Sequence, residues 1–297
     1  MATPMAAPDQ ALTVRAGDAV CTISPECGGS IASWTISGQH LLRAASAADV
    51  AARAPLGMAG FPLVPYSNRI ADGRFDWQGE RIKLSRNFAP EPHAIHGIGW
   101  QRAWQVSDTS ETEVALDLVH VANADWPWPF RATQRIALTP TALILSLRVT
   151  NLHTHPVPLA FGHHPYFDAT GATLHFTAET LWTNDARALP SGATSPAGVF
   201  DFGDGAPVEG RVVDHCYTGW DGAARIDWAD RLWRLHITTV PALPAAVVYI
   251  PRGGDIFCFE PVPHINDALN RNGADAAMPV IGPGESYAVE ISFQAVL

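Results

Sequence analysis

Tyr287-Ala288-Val289-Glu290-Ile291-Ser292-Phe293-Gln294-Ala295-Val296-Leu297 reads with a period of two. Tyr287, Val289, Ile291, Phe293 and Ala295 fall on one side, and Ala288, Glu290, Ser292 and Gln294 on the other. Successive side chains of an extended chain leave opposite faces, so this pattern predicts a strand with one buried face. Leu143, Leu145, Leu147 and Val149 alternate in the same way between Ala142 and Thr150. Phe130 to Leu138 and Leu232 to Thr239 repeat the pattern, the latter with Trp233, Leu235 and Ile237 on one side. Ser37-Gly38, Asp72-Gly73 and Gln78-Gly79 are two-residue turn signals, where glycine accepts the positive φ of a tight hairpin. One helical candidate stands out, the alanine-rich stretch Ala44 to Arg53. No repeat, low-complexity linker or compositional boundary divides the chain. The expectation is an all-β fold: a large antiparallel sandwich with few short helices, one domain over 1–297, with 1–10 as a disordered tail.

Composition narrows the function. The chain has 297 residues, 47% of them apolar and 16% charged, enough to bury a large core and far from the balance of a disordered protein. No apolar run approaches the roughly 18 residues of a membrane-spanning helix. Met1 to Gln10 lacks the basic start and apolar stretch of a secretory signal. The net charge of −10 and a single lysine, Lys83, argue against nucleic acid as a partner. Cys21, Cys27, Cys216 and Cys258 are too sparse for a disulfide framework and read as reduced and buried, which fits a cytoplasmic location.

Four clusters place polar, chemistry-bearing side chains beside turn residues, where a rigid β scaffold presents its sites. Pro65-Tyr66-Ser67-Asn68-Arg69-Ile70 puts an arginine just before a turn, able to give planar paired hydrogen bonds to sugar hydroxyls or a carboxylate. In His93-Ala94-Ile95-His96-Gly97-Ile98-Gly99-Trp100, glycines let backbone or ligand approach a histidine, and Trp100 offers a flat apolar face. Phe161-Gly162-His163-His164-Pro165-Tyr166-Phe167-Asp168 carries adjacent histidines that should point to opposite faces, leaving one as proton donor or hydrogen-bond partner. Phe257-Cys258-Phe259-Glu260-Pro261-Val262-Pro263-His264 embeds a carboxylate in apolar surroundings, which raises its pKa and makes it a stronger base when ionised. His153-Thr154-His155 invites a metal, yet His155 precedes Pro156 in an apparent turn and no second carboxylate ligand lies nearby. No metal is expected.

Taken in order, these clusters resemble the aldose 1-epimerase (galactose mutarotase) family. Pro25-Glu26-Cys27-Gly28-Gly29-Ser30-Ile31 and Ser37-Gly38-Gln39-His40-Leu41-Leu42 resemble its opening hairpin. Asn68-Arg69-Ile70, His96-Gly97, Trp128-Pro129-Phe130, His164-Pro165-Tyr166-Phe167 and Phe259-Glu260-Pro261 follow at familiar spacings, from about Cys21 to the C-terminus. The resemblance implies a β-supersandwich and cofactor-free exchange of the α and β anomers of a monosaccharide. It makes Glu260 the general base on the anomeric hydroxyl and His164 the general acid on the ring oxygen. Arg69 and His96 would bind sugar oxygens, with Asn68 and Trp100 beside them. Asp214, in Val213-Asp214-His215-Cys216-Tyr217, would match a hydroxyl-binding aspartate. No phosphate-cradling glycine loop runs into a helix, in keeping with a reaction that needs no nucleotide. A monomer or a homodimer is expected.

Two departures bear on the sugar. Ile98 stands where galactose-type members carry a second glycine, and Asp168 where they tend to have asparagine. The hexose-6-phosphate branch has an arginine where this chain has Trp100, which favours a neutral sugar here. Arg102 and Arg131 could compensate for that missing arginine, which leaves a phosphorylated or otherwise anionic sugar as the alternative. A sugar-binding member without turnover is a second alternative, against which the presence of both Glu260 and His164 speaks. A lyase or hydrolase on a similar sandwich is a third, but a hydrolase more often needs two cooperating carboxylates.

Overall fold

The computed structural model describes residues 11–271 and 277–297. The expected tail at 1–10 lies outside them. Two large antiparallel sheets dominate, with short two-stranded ribbons beside them. The first runs Leu12–Ala16, Ala19–Ser24, Ser30–Ile36, Gly60–Leu63, Gly162–Asp168, Ile256–Val262, Ala245–Ile250, Val213–Thr218, Thr180–Asn184, Pro190–Thr194, with Gln39–His40 added to Ser30–Ile36. The second runs Gln105–Thr109, Glu113–His120, Phe130–Leu138, Ala142–Asn151, Ser286–Val296, Arg234–Val240, Ala223–Trp228, Ala172–His175, Ala206–Pro207. The helix expected near Ala44 to Arg53 forms over Ala47–Ala52, capped by Ser46. Among the described residues no helix is long and apolar enough to cross a membrane.

The alternating segments became the centre of the second sheet. Leu143 pairs with Phe293, Leu145 with Ile291 and Leu147 with Val289, so three apolar cross-strand pairs line one buried face. That face meets the first sheet. Phe293 lies 6.4 Å from the His163 ring and 6.5 Å from Phe167, and Gln134 Nε2 donates across the interior to Gly29 O at 2.7 Å. All four cysteines are free and buried.

Of the three turn signals, Ser37-Gly38 and Gln78-Gly79 join paired strands. Asp72-Gly73 does not. Arg69–Ile70 pairs with Ala94–Ile95 and Arg74–Trp77 with Glu80–Lys83, so the positive φ at Asp72 and Gly73 redirects the chain between two ribbons. Arg69 therefore precedes no hairpin. It is held by a strand whose hydrogen-bonded partner is Ala94–Ile95.

His163 shows what the two sheets exclude. It is buried between them and neither ring nitrogen has a hydrogen-bond partner among the described residues. Burial alone drives its pKa down to about 3. The folded chain keeps this imidazole neutral while the unfolded chain protonates it below pH about 6.5, so stability falls as pH drops through that value towards the folded pKa. His96, at about 3, and His264, at about 4, act in the same direction. Replacing His163 by leucine removes the unpartnered polar ring and one proton of uptake. H163L is expected to be more stable than the parent at pH 5 by about 2 kcal/mol, with a smaller difference at pH 7. Denaturant unfolding at the two pH values checks this, and an unchanged pH dependence would contradict it.

Candidate active site

The site is written by register. Tyr166 pairs with Cys258, Cys258 with Tyr249, and Tyr249 with Asp214, a row across four strands of the first sheet. Two residues along on the same face come His164 and Glu260, on neighbouring strands. His164 Nε2 lies 3.3 Å from Glu260 Oε1. His163, one residue away, faces the interior instead, so the adjacent histidines do serve opposite faces of the sheet.

Asn68, Arg69, Phe88, Ile95 and His96 close over this row. Asn68 and His96 clamp each other. Asn68 N–H donates to His96 Nδ1 at 3.2 Å, and His96 N–H donates to Asn68 O at 2.9 Å. An accepting Nδ1 fixes the tautomer, leaving Nε2 as a donor. Both residues adopt positive φ, 54° and 59°, a conformation uncommon for non-glycine residues but one that asparagine and histidine adopt more readily than most. The glycine after His96 is forced by space as well as by its φ of 67°. A Cβ at Gly97 would stand 2.2 Å from Val64 O.

Arg69 reaches across the mouth. Its Nη1 donates to Asn68 Oδ1 at 3.2 Å and lies 3.7 Å from Asp214 Oδ2, while its Nε donates to Glu91 Oε2 at 3.2 Å. Together these groups enclose a cavity of about 310 Å³, lined by Asn68, Arg69, His96, His164, Asp214 and Glu260, with Leu56, Phe88, Ile95, Tyr166, Tyr249, Pro251 and Ile256 as its other walls. Six of the seven residues singled out in the sequence thus share one cavity. The seventh, Trp100, is placed differently. It is 2% exposed, stacks at 5.4 Å on Phe61, donates from Nε1 to Gly97 O and lies outside the cavity wall. None of the ten tryptophans lines the cavity. Its aromatic walls are Phe88, Tyr166 and Tyr249.

Electrostatics sets acid against base. Glu260 is 2% exposed, and burial followed by the nearby Asp214 carboxylate raises its pKa well above the usual carboxylate range, with Arg69 opposing. Burial, then His96, His163 and Arg43, lowers His164 well below an ordinary histidine. Burial, with the Arg69 cation adding to it, brings His96 down to about 3. Asp214, 35% exposed, is raised by burial against the pull of Arg69. Glu260 Oε2 and His164 Nδ1 have no hydrogen-bond partner among the described residues, although both are buried. A buried polar atom left unpaired is costly and typical of a place kept for a ligand.

Sequence reasoning passed over Glu91 and gave Tyr166 no role. Glu91 was readable as a carboxylate held between Pro90 and Pro92, beside a histidine already noticed. Tyr166 stacks on His164 with ring centroids 4.7 Å apart. The two departures from the family pattern both lie away from the cavity. Ile98 is buried, and Asp168 pairs with Arg231 at the end of its strand. Arg102 pairs with Asp125, and Arg131 with Asp117 at 2.7 Å, so neither cation faces the site. The His153 and His155 rings lie 5.4 Å apart and tilted by 43°, His155 N–H donates to His153 Nδ1, and no metal-holding cluster of His, Cys, Asp or Glu occurs among the described residues.

The chain is 30% identical over 284 residues to the uncharacterized protein YphB of Escherichia coli K12, covering 90% of this chain and 92% of that protein. It is also 30% identical over 243 residues to the uncharacterized protein YihR of the same organism, covering 80% and 74%. Among solved structures, a putative aldose 1-epimerase from Escherichia coli K12 superposes with a TM-score of 0.89 at 27% identity, over 97% of this chain and 99% of that one. A galactose 1-epimerase from Lactobacillus acidophilus shares the fold at a TM-score of 0.79 and 18% identity, over 96% and 94%. The aldose 1-epimerase family model matches residues 10–294, and this chain, with its antiparallel mutarotase-like fold, belongs to the aldose 1-epimerase family of isomerases.

Proposed function

We propose that this protein interconverts the α and β anomers of a free, neutral aldose by acid–base ring opening and reclosure. The observation that carries this reading is the 3.3 Å approach of His164 Nε2 to Glu260 Oε1 in the cavity. Anomer exchange moves one proton off O1 and one proton onto the ring oxygen, and both oxygens are borne by the same carbon. An acid and a base this close address both. Glu260 as carboxylate takes the proton from the anomeric hydroxyl while His164 as imidazolium gives one to the ring oxygen, breaking the C1–O5 bond. Rotation about C1–C2 presents the other face of the aldehyde. Reclosure returns both protons, and the enzyme ends as it began. Each group contributes on the order of a hundred- to ten-thousand-fold.

The surrounding groups orient the sugar. His96 offers a fixed Nε2–H donor, Arg69 a planar pair of donors, and Asp214 an acceptor for hydroxyls. Asn68 holds both Arg69 and His96 in place, and Trp100 supports His96 from below. The preference for a neutral sugar rests on charge. Arg69, the one cation in the cavity wall among the described residues, already faces Glu91 and Asp214, and Glu260 adds a third acidic group. A phosphate or sulfonate would meet no uncommitted cation in that wall.

Polarimetry on freshly dissolved α-anomers of glucose, galactose, xylose and L-arabinose is the direct test. Faster approach to the same final rotation is expected with at least one of them. Acceleration confined to a sugar phosphate would overturn the neutral-substrate reading. Binding without acceleration on any sugar would replace the enzyme by a sugar-binding protein.

A further inference from the structure

We infer that Arg43 is a positioning residue for this reaction, acting on His164 through the ring of Tyr166. The inference rests on His164 being the proton donor proposed above. Arg43 follows the opening hairpin, outside every cluster that pointed to chemistry. Its backbone N–H donates to Tyr166 O at 2.9 Å. Its Nη2 donates to Leu56 O at 2.6 Å and also to Met58 O. So anchored, the guanidinium carbon lies 3.9 Å from the centre of the Tyr166 ring, a cation–π contact. Tyr166 in turn stacks on His164 at 4.7 Å and 28°. A planar cation fixed to the backbone thus holds the ring that holds the imidazole.

Two consequences follow for His164. The first is geometric. Phe61 at 4.6 Å and Tyr166 at 4.7 Å set the plane of the imidazole, and with it the direction of Nε2 toward Glu260. Loosening Tyr166 loosens that direction. The second is electrostatic. His164 faces Glu260 from the neighbouring strand, Phe61 from the strand on its other side, His96 from the covering loop and Tyr166 from its own strand, with His163 next to it on the opposite face. Cys258 lies beyond Tyr166, and Arg69 and Asp214 stand across the cavity. Left to itself, an imidazolium in contact with a carboxylate would be held in an ion pair and keep its proton. The permanent charge of Arg43 opposes the imidazolium half of that pair. The proton that His164 does acquire is therefore given up more readily to a sugar.

The competing account is that Arg43 only ties residues 56–58 to the sheet, and pH behaviour separates the two. R43Q keeps a donor for those carbonyls but removes the charge. It is expected to lower kcat about tenfold with KM within about twofold. It should also move both limbs of the pH–rate profile upward by about half a unit, because loss of a nearby cation favours protonation of the pair. R43K restores the charge and should return the profile to its wild-type position. Y166L leaves Arg43 on its carbonyls and should lower kcat while retaining the fold. A loss of activity in R43Q with an unmoved profile, or one that R43K does not restore, would leave Arg43 a purely structural residue and overturn the inference. An NMR titration of His164 in wild type and R43Q stands apart from activity. Its midpoint should rise in R43Q. No upward movement, including an imidazole neutral in both proteins down to the lowest pH the fold survives, overturns the inference. Absence of anomer exchange in the wild type would instead remove the reaction proposed above.

Discussion

Glu260→Gln should abolish most of the turnover, by about a thousandfold or more, while the protein folds and binds sugar as before. Glutamine keeps the shape of the side chain and its ability to hydrogen-bond, so the walls of the cavity stay in register. It cannot take a proton from O1. The same change should make the protein more stable at pH 8. Burial and Asp214 raise the pKa of Glu260 in the fold, so this group costs stability above its unfolded pKa and the cost is relieved as pH falls. An amide carries no such cost. Activity lost with stability gained is the mark of a carboxylate retained for chemistry rather than for holding a loop. Polarimetric progress curves and denaturant unfolding at pH 8 measure the two halves. Near-normal turnover would remove Glu260 from the mechanism, and a destabilised variant would make it a structural glutamate.

What the sequence disclosed follows from the range of each interaction. Alternation is local and is enforced by a buried face, so the strands through Leu145 and Ile291 were legible residue by residue. His164 and Glu260 were legible because each sits in an apolar or glycine-rich setting that makes a polar side chain conspicuous. Their contact was not, since it depends on how Gly162–Asp168 pairs with Ile256–Val262. The same holds for Arg69, whose strand partner is Ala94–Ile95 rather than the segment after Asp72-Gly73. Trp100 shows the opposite error. A tryptophan beside a candidate histidine suggests a stacking platform, yet large aromatics are worth most in the core, and this one packs on Phe61 and Phe88 beneath His96. Arg43 was invisible for another reason. Its partners are a ring and two backbone carbonyls, and no sequence pattern marks those.

Replacing His164 by asparagine should cost about a hundred- to ten-thousandfold in kcat, and the pH dependence of what remains carries the assignment of roles. In the wild type, activity needs one proton on the pair. Rates should fall at low pH, where both groups are protonated, and at high pH, where neither is, with apparent pKa values that belong to the pair. Each single variant retains one titrating group and so one limb. With Glu260 changed to glutamine, residual turnover depends on protonated His164, whose pKa is depressed by burial first and then by His96, His163 and Arg43. The residual rate should therefore decline as pH rises. With His164 changed to asparagine, it depends on ionised Glu260, whose pKa is raised, and the residual rate should decline as pH falls. These opposite slopes are a stricter test than the loss of rate. If the two slopes were exchanged, Glu260 would be the acid and His164 the base. If the wild-type profile were flat between about pH 5 and 9, the pair would not be the proton-transfer machinery at all. The double variant should be scarcely slower than the slower single variant, because an acid and a base that act in one step fail together.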